Sequence, residues 1–218
     1  MNYGVLGTGM VGRAIASKLA ELGHEVMMGS RQAGNEKAVA WAEGAGALAN
    51  QGSFADAAGF GEVLVIATAG EASIEALQAA GVENLAGKVL IDVGNALDHS
   101  QTPPAIMAST QGSLGERIQG AFPDSRVVKT LNTVNAEVMV EPSLVPGAHT
   151  MFVCGDDEAA KTEVSELLQS FGWPAEDVID LGDISSARGM EMYVGLWLRV
   201  WQATGTLRFN IKLITGED

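Results

Sequence analysis

Short apolar runs alternate with longer segments of helical periodicity along most of the chain. The runs end near Gly, Asn, Ser, Thr or Asp, which is how buried parallel strands leave a sheet and enter ligand loops. The alternation predicts an α/β fold of the Rossmann type, doubly wound, with a mostly parallel sheet covered by helices on both faces. We expect strands over Asn2–Leu6, His24–Met28, Glu62–Ala67, Lys88–Val93, Arg126–Thr130, His149–Cys154 and Asp177–Leu181.

Helical periodicity fills the segments between these runs. Ser113 is followed three residues later by Glu116, which matches the capping box at the start of a helix. The last helix carries an apolar stripe at helical spacing, which predicts that it packs on the core or is covered by a second copy of the chain. The predicted helices are Met10–Leu22, Asn35–Glu43, Ala72–Ala80, Leu114–Phe122, Asp157–Phe171 and Ser186–Thr204.

A glycine-rich turn joins the first predicted strand to the first helix, with the sequence Gly7-Thr8-Gly9-Met10-Val11-Gly12. Gly7 can make the tight turn, Gly9 leaves room for a pyrophosphate, and Gly12 lets the helix pack closely on the strand. The free N–H groups of the helix N-terminus would face the phosphates. Because a second strand follows the helix, the segment has the context of a dinucleotide-binding unit.

The end of the second strand indicates which dinucleotide is bound. An NAD-selective site has Asp or Glu there, about 20 residues beyond the glycines, whereas this chain has Gly29-Ser30-Arg31. A hydroxyl and a guanidinium can bind a 2′-phosphate by charge-assisted hydrogen bonds, and a carboxylate would repel it. The sequence therefore predicts NADP(H), with the alternative that Arg31 is an ordinary solvated loop residue.

Charge and composition exclude several classes of partner. The 218 residues include 27 acidic and 13 basic side chains, a formal net charge of −14 that repels nucleic acids. No run approaches the roughly 18 apolar residues of a membrane span, so no membrane association is predicted. The single cysteine, Cys154, cannot form an internal disulfide. These features predict a cytoplasmic protein.

The sequence offers no side chain for acid–base, nucleophilic or metal chemistry. Tyr193 is followed at the fourth position by Trp197 rather than by the lysine of a Tyr-x-x-x-Lys proton donor. The three histidines lack partners at metal-ligand spacing, and Cys154 is expected to pack as a small hydrophobe. We therefore predict no catalytic residue and no metal. The protein would align NADP(H) with a small-molecule redox acceptor that brings its own chemistry.

Several blocks of the chain resemble a known family, the coenzyme F420 (deazaflavin)-dependent NADP oxidoreductases. The fold of that family is also similar to the NADPH-binding reductase domain of membrane ferric reductases. The resemblance runs almost end to end. Its blocks are Gly7 to Gly12, Gly23-His24-Glu25-Val26 leading to Gly29-Ser30-Arg31, Val127 to Thr133, Phe152 to Asp157, and Phe209-Asn210-Ile211-Lys212.

The resemblance implies a set of cofactor contacts. Thr8, Met10, Val11, Ser30 and Arg31 would contact NADP. Further along the chain, the resemblance places Thr68 and Ala69 toward the nicotinamide, Asn95 beside the cofactors, and Asn132 and Thr133 against cofactor or acceptor. Two residues depart from many relatives, since Ala69 and Ala96 stand where proline is expected. Asn132 and Thr133 also have an alternative role in capping the next helix, and Lys129 is expected to be a structural or rim residue.

The resemblance implies a hydride transfer between NADP(H) and an F420-type deazaflavin. One alternative is an NADPH-dependent reductase of a flavin or another small electrophile, and another is a non-catalytic module that senses NADP. We expect an NADP-binding Rossmann domain over 1–125 and a smaller C-terminal α/β extension over 126–218 that helps to form the acceptor site. A loop over Asp98–Gly112 contains Pro103-Pro104. A homodimer is expected because the small extension leaves little to enclose an acceptor.

Overall fold

The structure is a computed structural model that describes residues 1–98, 100, 102, 104–107 and 112–216. Within these residues the strands are β1 Asn2–Leu6, β2 Glu25–Ser30, β3 Ala49–Ser53, β4 Val63–Ile66, β5 Val89–Asp92, β6 Leu97–Asp98, β7 Ala105–Ile106, β8 Arg126–Thr130, β9 Met151–Gly155 and β10 Val178–Asp180. The α-helices are α1 Met10–Glu21, α2 Glu36–Ala45, α3 Phe54–Phe60, α4 Ser73–Ala80, α5 Val82–Leu85, α6 Leu114–Ala121, α7 Ala136–Val140, α8 Glu158–Ser170 and α9 Ala187–Thr204.

Eight of these strands form one sheet in the order β10-β9-β8-β5-β4-β1-β2-β3. All neighbours pair in parallel except β8 and β9, which pair antiparallel. This arrangement confirms the predicted Rossmann-type α/β fold. The order reverses between β1 and β4, because β2 and β3 extend the sheet on one side and β5 on the other. The carboxyl ends of β1 and β4 therefore border the crevice in which such sheets bind ligands.

Two apolar clusters lie on opposite faces of the sheet. On one face, side chains of α1, α2, α7 and α8 pack on the strands, including Ile15, Trp41 and Val164. On the other face lie α3, α4, α6 and the first turn of α9, with Leu77 and Ile118 fully buried. The predicted stripe on α9 is buried at Met190, Val194 and Leu198 and half-buried at its aromatic positions.

The structure contains elements that the sequence pattern did not predict. β3 pairs in parallel with β2, and α3 follows it at a capping box formed by Ser53 and Asp56. The prediction missed β3 because Ala-Asn-Gln-Gly-Ser contains no β-branched or aromatic residue, and its place at the sheet edge does not require one. The short helices α5 and α7 and the two-residue pair β6–β7 were also missed. Each predicted strand and helix is present, with ends within two residues of those observed.

Residues on both sides of position 125 build the same sheet. β8 follows that position and pairs with β5, and β9 and β10 continue the sheet. Beyond α9 the chain returns to β9, where the Thr150 N–H donates to the Ile211 carbonyl at 2.8 Å. The division into two domains stays a prediction. Of the predicted 98–112 loop, Pro104 is described and Pro103 lies outside the described residues.

Candidate active site

A cavity of about 510 Å³ opens at the carboxyl ends of β1, β2 and β4, at the point where the strand order reverses. The loops that follow these strands line it together with α4. Most of the residues predicted to bind NADP are brought together here. They are Gly7, Thr8, Gly9, Ser30, Arg31, Thr68 and Ala69.

The three glycines of the β1–α1 turn have distinct environments. Gly7 has φ +127°, and a Cβ at Gly7 would overlap the Ala67 carbonyl; a Cβ at Gly12 would overlap the Gly7 carbonyl. These contacts confirm the tight turn and the close helix packing. A Cβ at Gly9 would meet no protein atom within 4 Å. Gly9 is also the N-cap of α1 and provides no side-chain cap, so the first N–H groups of α1 stay available to an anion.

The loop after β2 holds Ser30 and Arg31. Ser30 is buried, and its hydroxyl donates to the Gln32 carbonyl at 2.6 Å. Arg31 is exposed and has no carboxylate partner within the described part of the chain. Gln51 of β3 accepts a hydrogen bond from the Gly34 N–H at 2.7 Å and so fixes the far end of this loop. The sequence did not indicate this role for Gln51, because β3 was not predicted.

A second group of predicted residues lies beside the cavity, where β5 and β8 end. The side chain of Asn132 donates to Asn95 Oδ1 at 2.9 Å, and Asn95 Nδ2 donates to the Asn132 backbone carbonyl at 2.9 Å. Gly70, next to Ala69, packs against the Asn95 backbone so closely that a Cβ would overlap it. Asn95 and Asn132 are thus held together and border the 68–70 loop.

Two buried polar atoms in this group have no hydrogen-bond partner among the described residues. They are Asn132 Oδ1 and Thr133 Oγ1, on side chains that are 3% and 2% exposed. A buried polar atom without a partner costs roughly 1–3 kcal/mol, so such atoms usually mark a ligand, an ion or a water. With the open side of Gly9 and the uncapped α1, the residues present fit a bound dinucleotide.

Two further predicted contacts lie outside the main cavity. Val11 packs against the core cluster on the α1 face. Met10 is 64% exposed and borders a neighbouring cavity of about 460 Å³, which is also lined by the start of α7 and by Arg208. Met10 thus separates the glycine turn from a second concave surface.

Beneath Asn95 lies a buried ion cluster, which the sequence pattern did not indicate. Lys129 Nζ is 2.8 Å from Asp92 Oδ2 and 2.9 Å from Glu191 Oε1, and it donates to the Gly94 carbonyl at 2.6 Å. Burial disfavours the ammonium ion, but the Asp92 and Glu191 carboxylates outweigh it and raise the pKa of Lys129. Lys129 is fully buried in the core and does not lie at a rim. The available signal was a charged residue near the end of each of two buried strands, Asp92 in β5 and Lys129 in β8.

No described side chain near the cavity is set up as a nucleophile or a metal ligand. Cys154 is buried, its thiol donates to Met190 Sδ at 3.6 Å, and burial raises its pKa to about 12. This packing confirms the expected role of Cys154. His149 is buried against Trp173 and contacts the Pro142 carbonyl, and His99 lies outside the described residues. The described residues hold no group of three His, Cys, Asp or Glu that could bind a metal.

Comparison with known proteins is consistent with this geometry. Residues 2–96 match the family model "NADP oxidoreductase coenzyme F420-dependent". A solved structure from Arthrobacter sp. FB24, described as a "putative f420 dependent nadp-reductase", is 48% identical to this chain with a TM-score of 0.90. The alignment covers 98% of this chain and 99% of that one. The chain belongs to the F420-dependent NADP oxidoreductase family. Membership confirms the family expected from the sequence, its oxidoreductase class and its NADP(H) cofactor.

Curated relatives of this family member include both kinds of protein expected from the resemblance. The F420-dependent NADP reductase of Methanocaldococcus jannaschii is 26% identical over 215 residues, covering 92% of this chain and 93% of that protein. Metalloreductase STEAP3 of Rattus norvegicus is 28% identical over 208 residues. The chain spans only 39% of the length of that metalloreductase. Among the described residues, no helix has the length and apolar character needed to cross a membrane.

Proposed function

We propose that this protein catalyses hydride transfer between NADP(H) and an F420-type deazaflavin. In the reducing direction NADPH becomes NADP⁺, and the deazaflavin gains the hydride together with one proton from solvent. The observation that carries the proposal is the juxtaposition of two sites at the carboxyl edge of the sheet. One is a cavity with the features of a dinucleotide cradle, and the other is a set of buried polar atoms without partners beside it.

The cradle would bind the pyrophosphate and the 2′-phosphate of NADP(H). The N–H groups at the start of α1 face an open space at Gly9 and can donate to phosphate oxygens. Arg31 can pair with a 2′-phosphate because no carboxylate of the described residues competes for its guanidinium. With Ser30 turned toward Gln32, Arg31 provides the larger share of the selectivity for NADP(H) over NAD(H).

The second group of residues would orient the reacting rings. Thr68 and Ala69 follow β4 along the cavity, while Asn95, Asn132 and Thr133 offer side-chain atoms from the neighbouring strand ends. Asn132 Oδ1 can accept a hydrogen bond, and Thr133 Oγ1 can donate or accept one. Hydride transfer between two ring systems needs alignment and exclusion of water more than an acid or a base.

The proposal is tested by mixing the NADPH-loaded protein with a panel of oxidised acceptors in a stopped-flow instrument. The panel contains the F420-type deazaflavin, flavin mononucleotide, flavin adenine dinucleotide and a quinone. Fastest oxidation of NADPH by the deazaflavin supports the proposal. Faster reduction of a flavin replaces it with the general flavin-reductase function, and no reduction of any acceptor favours an NADP-sensing protein.

We further propose that the protein acts as a homodimer. Met192 and Leu196 lie one helical turn apart on α9 and are 70% and 60% exposed. A second copy of the chain can cover this surface by a two-fold axis. Sedimentation of the unmodified protein as a dimer, and of Leu196→Glu as a monomer, supports the assignment. A monomeric unmodified protein at micromolar concentration contradicts it.

A further inference from the structure

The ion cluster around Lys129 joins five segments of the chain, four of which are distant from one another in sequence. Lys129 lies on β8, Asp92 ends β5, and Glu191 belongs to α9. Glu191 also accepts hydrogen bonds from the N–H groups of Leu114 and Gly115 at the start of α6, at 2.9 and 3.1 Å. The fifth segment is the loop after β5, whose Gly94 carbonyl accepts from Lys129. The cluster therefore fixes this loop relative to both strands and both helices.

The ammonium of Lys129 is saturated by its contacts. It has three donors, and the structure provides an acceptor for each of them in Asp92, Glu191 and the Gly94 carbonyl. Asp92 uses its other oxygen to accept the Gly94 N–H at 2.9 Å. Both polar groups of the Gly94 backbone are thus held by the cluster, one by Lys129 and one by Asp92.

Thermodynamic stability alone does not account for these buried charges. A buried ion pair is often no more stabilising than well-packed apolar residues of similar volume, because removing charges from water is costly. Asp92 and Lys129 are fully buried, and no other ion pair among the described residues has both side chains at 0% exposure. What apolar side chains could not supply is the fixed direction of the Gly94 peptide groups.

The loop held by the cluster leads directly into the proposed reaction site. Asn95 follows Gly94 and pairs with Asn132, and Asn132 comes after Leu131 on the continuation of β8. Leu131 has φ +62° and is the only described non-glycine residue with a positive φ. A left-handed backbone at a leucine is strained, so this turn needs neighbouring contacts to hold it. Lys129 lies two residues before Leu131 on one side of the turn, and the Asn95 side chain lies on the other.

We propose that Lys129 is a positioning residue for hydride transfer, acting through Gly94 to hold Asn95 and Asn132 against the reacting rings. Lys129 itself does not contact the cofactor. Asp92 and Glu191 hold its ammonium group in place. The inference rests on the proposed function, which places the nicotinamide end of NADP(H) near Thr68 and Asn95. It does not depend on which acceptor receives the hydride.

Asp92→Asn is the most informative substitution. It preserves the shape of the side chain and leaves Lys129 paired with Glu191, so no uncompensated charge is buried. The aspartate accepts one hydrogen bond on each carboxylate oxygen, from the Gly94 N–H and from Lys129. In asparagine one of these two atoms is an NH₂ nitrogen, which donates, so the two terminal atoms can no longer accept one bond each. We expect kcat for NADPH oxidation to fall about 10-fold to 100-fold, while the Kd of NADPH, set at the glycine turn and Arg31, changes less than about threefold.

A matched control lies at the far edge of the sheet. Lys161 is 2.8 Å from both Asp180 Oδ2 and Glu158 Oε1 and donates to the Gly182 carbonyl, and Asp180 Oδ1 accepts the Gly182 N–H at 2.8 Å. Like the cluster around Lys129, this arrangement has one lysine, two carboxylates and an Asp-x-Gly segment. Here the Asp-x-Gly segment lies at the end of β10. Asp180→Asn is expected to leave both kcat and the Kd of NADPH unchanged.

A double-mutant cycle separates a positioning role from a structural one. If Lys129 and Asp92 act through Asn95, then Asp92→Asn lowers kcat much less in an Asn95→Ala background than in the unmodified protein. Equal losses of kcat in the two backgrounds overturn the proposal. So does a loss of thermal stability in Asp92→Asn with kcat unchanged per folded molecule.

Glu191→Gln provides a second route if Asp92→Asn does not fold. Glu191 is 11% exposed at its side chain, so its substitution is better tolerated than that of the fully buried Asp92. Glu191→Gln is likewise expected to lower kcat while the Kd of NADPH changes less than about threefold. An unchanged kcat overturns the proposal. All rates are measured with whichever acceptor the unmodified protein reduces. A failure with deazaflavin therefore counts against the proposed function, and an unchanged kcat in these variants counts against the role of Lys129.

Discussion

The side chain of Asn132 donates a hydrogen bond to Asn95 Oδ1 at 2.9 Å, which links the loops that follow β8 and β5. Because Asn95 donates in turn to the Asn132 backbone carbonyl, the Asn132 carboxamide is held with its Oδ1 unpaired. Thr133, the next residue, has an unpaired hydroxyl in the same buried region. These two neighbouring atoms have no hydrogen-bond partner among the described residues, and their burial is unfavourable unless a ligand or a water contacts them.

Thr133→Val is expected to stabilise the protein while weakening its reaction. The substitution removes a buried hydroxyl that has no partner and keeps the side-chain shape, so the free energy of unfolding should rise by about 1 kcal/mol. The specificity constant kcat/KM for hydride transfer should fall by about 10-fold, because the hydroxyl can no longer contact cofactor or acceptor. Urea denaturation and steady-state kinetics measure the two effects.

Thr130→Val is the matched control for this prediction. The Thr130 hydroxyl is also buried, but it donates to the Phe152 carbonyl at 2.8 Å. Loss of this hydrogen bond in Thr130→Val should lower the free energy of unfolding by about 1–3 kcal/mol and leave kcat/KM unchanged. If Thr133→Val and Thr130→Val are equally destabilising, the Thr133 hydroxyl has a hydrogen-bond partner in the unliganded protein, which contradicts this prediction.

Arg31→Ala is expected to remove most of the preference for NADPH over NADH. The unmodified protein should bind NADPH at least about 10-fold more tightly than NADH, since a charge-assisted pair with the 2′-phosphate contributes about 1.5–3 kcal/mol. Calorimetry on the variant should show weaker NADPH binding and unchanged NADH binding. Arg126→Ala, at the opposite end of the sheet where Arg126 donates to the Gly87 carbonyl, should bind both nucleotides normally. Equal affinities in the unmodified protein contradict the assignment.

Gly9→Val is expected to abolish nucleotide binding without unfolding the protein. A Cβ at Gly9 meets no protein atom within 4 Å, so the fold accommodates it, but the side chain enters the space assigned to the pyrophosphate. Circular dichroism should be unchanged while binding of NADPH is lost. Gly44→Val, at another open glycine on α2, serves as the control and should bind NADPH. Native affinity in Gly9→Val would show that the phosphates lie elsewhere.

Cys154 is expected to be dispensable and chemically inert in the folded protein. Because burial raises the pKa of the Cys154 thiol to about 12, almost none of it is ionised at pH 8. The folded protein should therefore not react with a thiol reagent at pH 8, and the unfolded protein should react fully. A loss of more than about 100-fold in kcat for Cys154→Ala, with stability unchanged, would assign the thiol to the reaction.

The sequence predicted the parts of the site that depend on local chemistry. The glycine turn, Ser30 and Arg31 lie within consecutive residues whose spacing has a known geometric meaning, and they line one cavity. Asn95 and Asn132 were reached only by family resemblance, because they lie 37 positions apart along the chain and no spacing rule predicts their contact. The orientation that leaves Asn132 Oδ1 unpaired depends on that contact and could not be predicted.

The strand β3 and the role of Lys129 could not be predicted from the sequence for a different physical reason. β3 lies at the sheet edge, and its polar residues include Gln51, which holds the loop of Arg31. An edge strand needs little apolar surface, so hydrophobic periodicity gives no signal there. The role of Lys129 depends on Glu191 from the last helix, and a contact over this sequence distance is set by the tertiary fold.

Isotope transfer tests the proposed hydride reaction most directly. The protein is mixed with oxidised F420-type deazaflavin and NADPH that carries deuterium at one of the two C4 positions, each epimer in turn. The deazaflavin has carbon where a flavin has N5, so a transferred deuteride forms a C–D bond that does not exchange with water. We predict that one epimer yields reduced deazaflavin one mass unit heavier and that the other does not. Unlabelled product from both epimers, or no reduction of the deazaflavin while flavin mononucleotide is reduced, would contradict the proposed function.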